Sequence, residues 1–76
     1  MNSTLQTLAD YWQIEYTDFL RNREKAERLH NYTKLAVWVL RRVERMEYEE
    51  IGALLNYTYS TVQGMSREAN NRIQAD

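Results

Sequence analysis

The stretch Met46-Glu-Tyr-Glu-Glu-Ile-Gly-Ala-Leu-Leu-Asn-Tyr-Thr-Tyr-Ser-Thr-Val62 decides the fold. Tyr48, Ile51, Leu54 and Leu55 fall three and four apart, the spacing of a short amphipathic helix. Asn56 suits the left-handed residue that ends such a helix, because its short polar side chain tolerates positive φ better than most. Thr58 is a good N-cap for a following helix, its hydroxyl placed to accept an orphan amide. Two helices joined by so short a turn make a helix-turn-helix. The second of them buries Val62, Met65, Ala69 and Ile73 and leaves Tyr59, Ser60, Gln63, Gly64 and Arg67 outward.

Upstream, the spacing predicts more helix. With no proline and two glycines in 76 residues, there is little chemistry for hairpin turns. Thr4 can cap a helix carrying Leu5, Leu8, Ala9 and Trp12; its phase breaks near Ile14. A short helix from Thr17 to about Asn22 turns Phe19 and Leu20 inward. A long helix from about Glu24 to Arg45 carries one stripe at Leu29, Thr33, Ala36, Leu40 and Val43 and another at Leu35, Trp38, Val39 and Met46. The six-residue run Leu35 to Leu40 could be a buried strand by itself, but charged helix formers flank it without a turn signal. A helix apolar on nearly all sides belongs at the centre of a bundle, with Trp38 and Val39 in its core. The fold class is therefore all-α: a small helical bundle with a long central helix and a C-terminal helix-turn-helix, in one domain over residues 1–76.

Composition narrows the function. Hydrophobic residues make up 43 % of the chain, enough for a core, and cysteine is absent, which excludes disulfides and thiolate metal sites. His30, the single histidine, reads as a surface residue, and Glu49 and Glu50 read as acids favouring a helix N-terminus rather than as a catalytic pair. No nucleophile, base and orienting group can be named together, so neither an enzyme nor a bound cofactor or metal is expected. The opening MNSTLQTLAD lacks the basic and apolar regions of a signal peptide, and no apolar run reaches membrane length, so a cytoplasmic protein without membrane contact is expected.

The formal net charge is −1, yet it is unevenly spread. Residues 1–20 carry −3, residues 21–47 carry +4 and residues 48–76 carry −2. The cations Arg21, Arg23, Lys25, Arg28, Lys34, Arg41, Arg42 and Arg45 can reach phosphates only where they share a face with the second helix of the helix-turn-helix. On that helix Gln63 can hold adenine, Arg67 can hold guanine, and Ser60 and Thr61 can reach a phosphate or a base edge. Gly64, costly inside a helix by about 1 kcal/mol, points to close approach by DNA backbone or by a neighbouring helix. Tyr57 and Tyr59 at the turn either fill space between helices or anchor a protein partner.

These residues carry a resemblance. Leu5-x-x-Leu8-Ala9-x-Tyr11-Trp12-x-Ile14, Asp18-Phe19-Leu20, the basic stretch through Arg28, Lys34 to Arg41, Glu50-Ile51-Gly52 and Ser60-Thr61-Val62 together resemble the C-terminal DNA-binding domain of the bacterial replication initiator DnaA, over nearly the whole chain. The fragment from Leu54 to Val62 alone would equally suit the promoter-reading region of sigma factors. The DnaA resemblance implies a Trp-repressor-like fold, double-stranded DNA as partner, and a basic loop of which Arg23 and Lys25 survive beside the phosphate backbone. Where that family places a minor-groove arginine, this chain has Thr33, with Lys34 the nearest cation. Its Arg-Asp-His turn is replaced by Tyr57-Thr58-Tyr59, in a turn one residue shorter. No glycine-rich phosphate loop is present, so only the DNA-binding part of an initiator is represented. The expected function is that of a double-stranded DNA-binding regulator of replication or transcription from a phage or mobile element. The alternative is a helical module that keeps the fold, binds a protein through Tyr57 and Tyr59, and inhibits or adapts a host replication or transcription factor.

Overall fold

A computed structural model describes residues 2–75. The described chain is all-α: α1 (Ser3–Trp12), a single 3-10 turn (Tyr16–Phe19), α2 (Glu27–Arg42), α3 (Tyr48–Leu55) and α4 (Tyr59–Ala75). Asn2, not Thr4, caps α1, its Oδ1 accepting the Leu5 amide at 3.0 Å. Gln13 ends that helix in the left-handed region at φ 59°.

Two local turns set the limits of the central helix. It starts at Glu27 rather than Glu24, because the Asn22 side chain takes the Glu24 amide at 3.0 Å and its carbonyl takes the Lys25 amide at 3.2 Å, closing a turn first. It ends at Arg42, and Arg45 adopts φ 57°, so that the Met46 amide returns to the Leu40 carbonyl at 3.1 Å. Three residues short of the expected end, the helix leaves Val43 69 % exposed.

The core gathers Leu5 and Ala9 from α1, Phe19 from the 3-10 turn, Ala36, Val37 and Leu40 from α2, Ile51 and Leu55 from α3, and Val62 and Met65 from α4. Burying each large member contributes roughly 1.5–3 kcal/mol. Helix α2 touches every other element, as a central helix must. Its buried stripe is Thr33, Ala36, Val37 and Leu40; Trp38 and Val39 are only half-buried. The indole explains its own place: its N–H needs a polar partner, and it donates to Asn70 Oδ1 at the protein surface (3.4 Å). Ile73, in the last turns of α4, is also exposed. Among the described residues no helix is long and apolar enough to cross a membrane.

Candidate nucleic-acid interface

The helix-turn-helix is built by local chemistry. Glu47 and Glu50 form a reciprocal capping box that starts α3, the Glu47 amide donating to Glu50 Oε1 at 3.0 Å. Both Glu49 and Glu50 sit exposed in its first turn. Asn56 ends the helix at φ 64°, ψ 35°, and the Tyr57 amide turns back to the Gly52 carbonyl at 2.9 Å. A Cβ on Gly52 would lie 2.6 Å from the Tyr57 carbonyl oxygen, so only glycine admits a turn this tight. Thr58 Oγ1 then accepts the Thr61 amide at 3.3 Å, opening α4. A further backbone bond, from the Arg21 amide to the Leu55 carbonyl at 3.0 Å, moors the end of α3 to the loop before α2.

Along α4, Val62, Met65 and Ala69 face inward together with Ser66, whereas Ser60, Thr61, Gly64 and Arg67 are exposed and Gln63 is half-buried. Tyr59 is 48 % exposed, its ring edge-on to Tyr48 at 5.8 Å. No atom lies within 4 Å of where a Gly64 Cβ would stand, so no neighbouring helix accounts for that glycine.

Beside this face runs an open groove of about 750 Å³. Gln63, Ser66, Arg67 and Asn70 form one wall from a single edge of α4, spaced three, four and seven apart. Trp38, Arg41, Arg42 and Arg45 come from α2 and the turn after it, and Glu47 and Tyr48 from the start of α3. Arg41 donates to the Met46 carbonyl at 3.2 Å and lies 5.1 Å from the Tyr48 ring centre. Arg42 donates to Asn70 Oδ1 at 3.0 Å and lies 5.7 Å from the Trp38 ring centre. Four guanidiniums thus meet one lining carboxylate, Glu47, whose oxygen already serves the α3 capping box. The Tyr48 hydroxyl is held below the usual tyrosine range chiefly by Ser66, and to a lesser degree by Arg41 and Arg67, against the opposing effect of burial.

The remaining sequence-predicted cations are placed differently. Lys25 does not sit beside a phosphate path. It is 9 % exposed, and its ammonium donates to the Phe19 carbonyl (3.0 Å), Thr33 Oγ1 (3.1 Å) and Tyr57 Oη (3.0 Å). Burial lowers its pKa to about 8, against the raising effect of Asp18. Three acceptors saturate its three protons, which leaves none for DNA. The same bond withdraws Tyr57 from the role of exposed anchor: it is half-buried, with its hydroxyl turned to Lys25. Lys34 pairs with Glu68 across α2 and α4 at 2.6 Å, holding that carboxyl below its ordinary range. Arg23 is exposed on the loop before α2.

The structure therefore brings Gln63 and Arg67 together with Arg41, Arg42 and Arg45, and separates them from Lys25. Trp38, Tyr48, Ser66 and Asn70 were not picked out as site residues by sequence. The signal that could have found the last of these is the shared helical edge of positions 63, 66, 67 and 70. Among the described residues no group of three or more histidine or acidic side chains is arranged to hold a metal. Compared with protein-family models, curated proteins and solved structures, the chain matches none.

Proposed function

We propose that the chain is a double-stranded DNA-binding helix-turn-helix protein, a binding rather than a catalytic module. In this reading it is a divergent relative of the DnaA C-terminal domain that regulates replication or transcription in a phage or mobile element. The N-terminal half of α4 enters the major groove, where Gln63 reads adenine bidentately, Arg67 reads guanine, and Ser60 and Thr61 reach a base edge or phosphate. Gly64 lets the backbone come close. The flanking phosphate strand runs past Arg41, Arg42 and Arg45, which fix register without reading sequence.

The observation that carries this reading is the junction of the Gln63–Arg67 edge with the arginine-lined groove. A net charge of −1 does not oppose it, because DNA responds to local charge and this groove is lined by four arginines and one carboxylate. Fluorescence anisotropy with a labelled random duplex, repeated over a salt series, tests it. Binding is expected with a slope of log affinity against log salt of about −3 to −5, set by the few cations within reach. Absence of binding at low salt, or an unchanged slope in the triple variant Arg41→Gln, Arg42→Gln, Arg45→Gln, overturns it.

A further inference from the structure

The arginine groove has features that duplex contact does not require. Phosphate contacts to DNA come from side chains spread along a convex double helix, and isolated surface arginines suffice. Here the guanidiniums converge on a hollow of about 750 Å³, inside the range of small-molecule sites (about 300–1,000 Å³). Two of the four are also held before any ligand arrives. Arg41 is fixed between the Met46 carbonyl and the Tyr48 ring, and Arg42 between Asn70 Oδ1 and the Trp38 ring. Asn70 Oδ1 receives the Trp38 indole N–H as well, so one oxygen sets both members of the stacked pair. For Arg41 and Arg42 the ordering cost is thereby met in the free protein, which is what preorganised binding requires.

Charge density selects the ligand. Guanidinium forks fit carboxylate and phosphate equally well. An extended acidic peptide, however, places same-side carboxylates about 6.6 Å apart, two residues at about 3.3 Å each. It therefore packs charge into the hollow less densely than a phosphate chain does. Linked phosphates concentrate several negative charges within that distance. A base would gain little, since Arg42 already lies over the Trp38 ring.

We propose that this groove is a receptor for short linear oligophosphates, the di- or triphosphate chain either free or carried by a nucleotide, and that the bound chain displaces duplex DNA from the edge of α4. Displacement rests on the DNA-binding reading above; receptor activity does not.

Calorimetric titration of the full chain with inorganic tripolyphosphate, ATP and UTP, without divalent cations and at constant ionic strength, tests the first part. Saturable binding at one site per chain is expected, with the three ligands within about threefold of one another because the phosphates carry recognition. Arg45→Gln and Arg42→Gln should each weaken it about tenfold. Arg45 is exposed, so its variant keeps the fold, and a melting curve verifies that. Failure to saturate, equal binding of sulfate, equal binding of hexaglutamate, or indifference to both substitutions overturns the receptor. A strong preference for one nucleotide over tripolyphosphate overturns its phosphate-only recognition. In the second arm, tripolyphosphate should release labelled duplex over the concentration range in which it binds. If the duplex never binds while calorimetry saturates, the DNA reading fails and the receptor stands; if both bind without competition, displacement is overturned.

Discussion

The two ends of α2 hold the same kind of residue in opposite circumstances. Before its N-terminus, Lys25 is folded inside and saturated by Phe19, Thr33 and Tyr57. At and beyond its C-terminus, Arg41, Arg42 and Arg45 line an open groove. Side-chain chemistry explains the division. An ammonium is a point donor with three protons, and a carbonyl and two hydroxyls converging on one point satisfy it. A guanidinium spreads five donors over a plane, which few interiors can match, so it keeps one edge in water or on an anion. The buried cation joins the 3-10 turn, the central helix and the helix-turn-helix turn into one unit, whereas the arginines line a groove open to a partner.

The largest effect that could break this contrast is on stability. Lys25→Met leaves three acceptors without their donor and should cost about 2–4 kcal/mol in urea denaturation, since each buried group left unpaired is penalised. Arg45→Gln should stay within about 0.5 kcal/mol. Equal losses would mean that Lys25 contributes no more than a surface residue.

A smaller effect, on binding, sharpens the other end. Gln63→Ala and Arg67→Ala should each weaken duplex binding by about 1–3 kcal/mol and leave the melting temperature unchanged. Tyr57→Phe should lower the melting temperature instead, because it deletes one Lys25 acceptor. Should Gln63 and Arg67 prove silent toward DNA while Tyr59→Ala abolishes capture of a protein, the protein-binding alternative replaces the DNA reading.

Why sequence separates these ends poorly is a matter of distance along the chain. The capping roles of Asn56 and Thr58 were legible because a cap is decided by a residue and its next few neighbours. The central helix was legible from its periodicity. Lys25 was not, because its acceptors lie at positions 19, 33 and 57, brought together only by the packed bundle. It therefore read as one more member of a basic loop. The groove was half legible: Gln63 and Arg67 followed from helical phase, but their junction with Arg41, Arg42 and Arg45 depends on where α2 stops and on the left-handed turn at Arg45. Trp38 misread as core because hydropathy does not register that an indole N–H wants a partner.

Alkaline titration sharpens the buried end further. Below about pH 8 Lys25 is protonated in both folded and unfolded chains and contributes no slope. Between about 8 and its ordinary 10.5, the unfolded chain holds a proton that the folded chain has released, so stability rises with pH across that window. Asp18, facing it from the 3-10 turn, moderates the shift. Burial raises the pKa of Tyr57, with Arg21 opposing, so that its own titration lowers stability only above its ordinary 10.0. Tyr48, held low, adds a rising slope unrelated to Lys25. The clean observable is thus the stability difference between the parent and Lys25→Met, which should grow in the parent's favour from pH 7.5 to about 9.5. A flat difference would show that Lys25 keeps its ordinary pKa despite its enclosure.

The smallest effect comes from Gly64, and it contrasts with Gly52 on the other side of the turn. At Gly52 an added methyl meets the Tyr57 carbonyl, so Gly52→Ala must displace backbone and destabilise. At Gly64 the methyl meets nothing, and the helix gains the usual difference between alanine and glycine. Gly64→Ala should therefore raise stability by about 0.5–1 kcal/mol, seen as a higher urea midpoint at unchanged slope. Under the DNA reading the same methyl stands on the exposed face that enters the major groove, next to Gln63 and Arg67, and holds the helix away from the base edges. The variant should be more stable and bind duplex more weakly, two effects of opposite sign from one carbon atom. A gain in stability with duplex affinity unchanged would move the DNA-contacting surface off the outer face of α4 and leave the arginine groove as the contact.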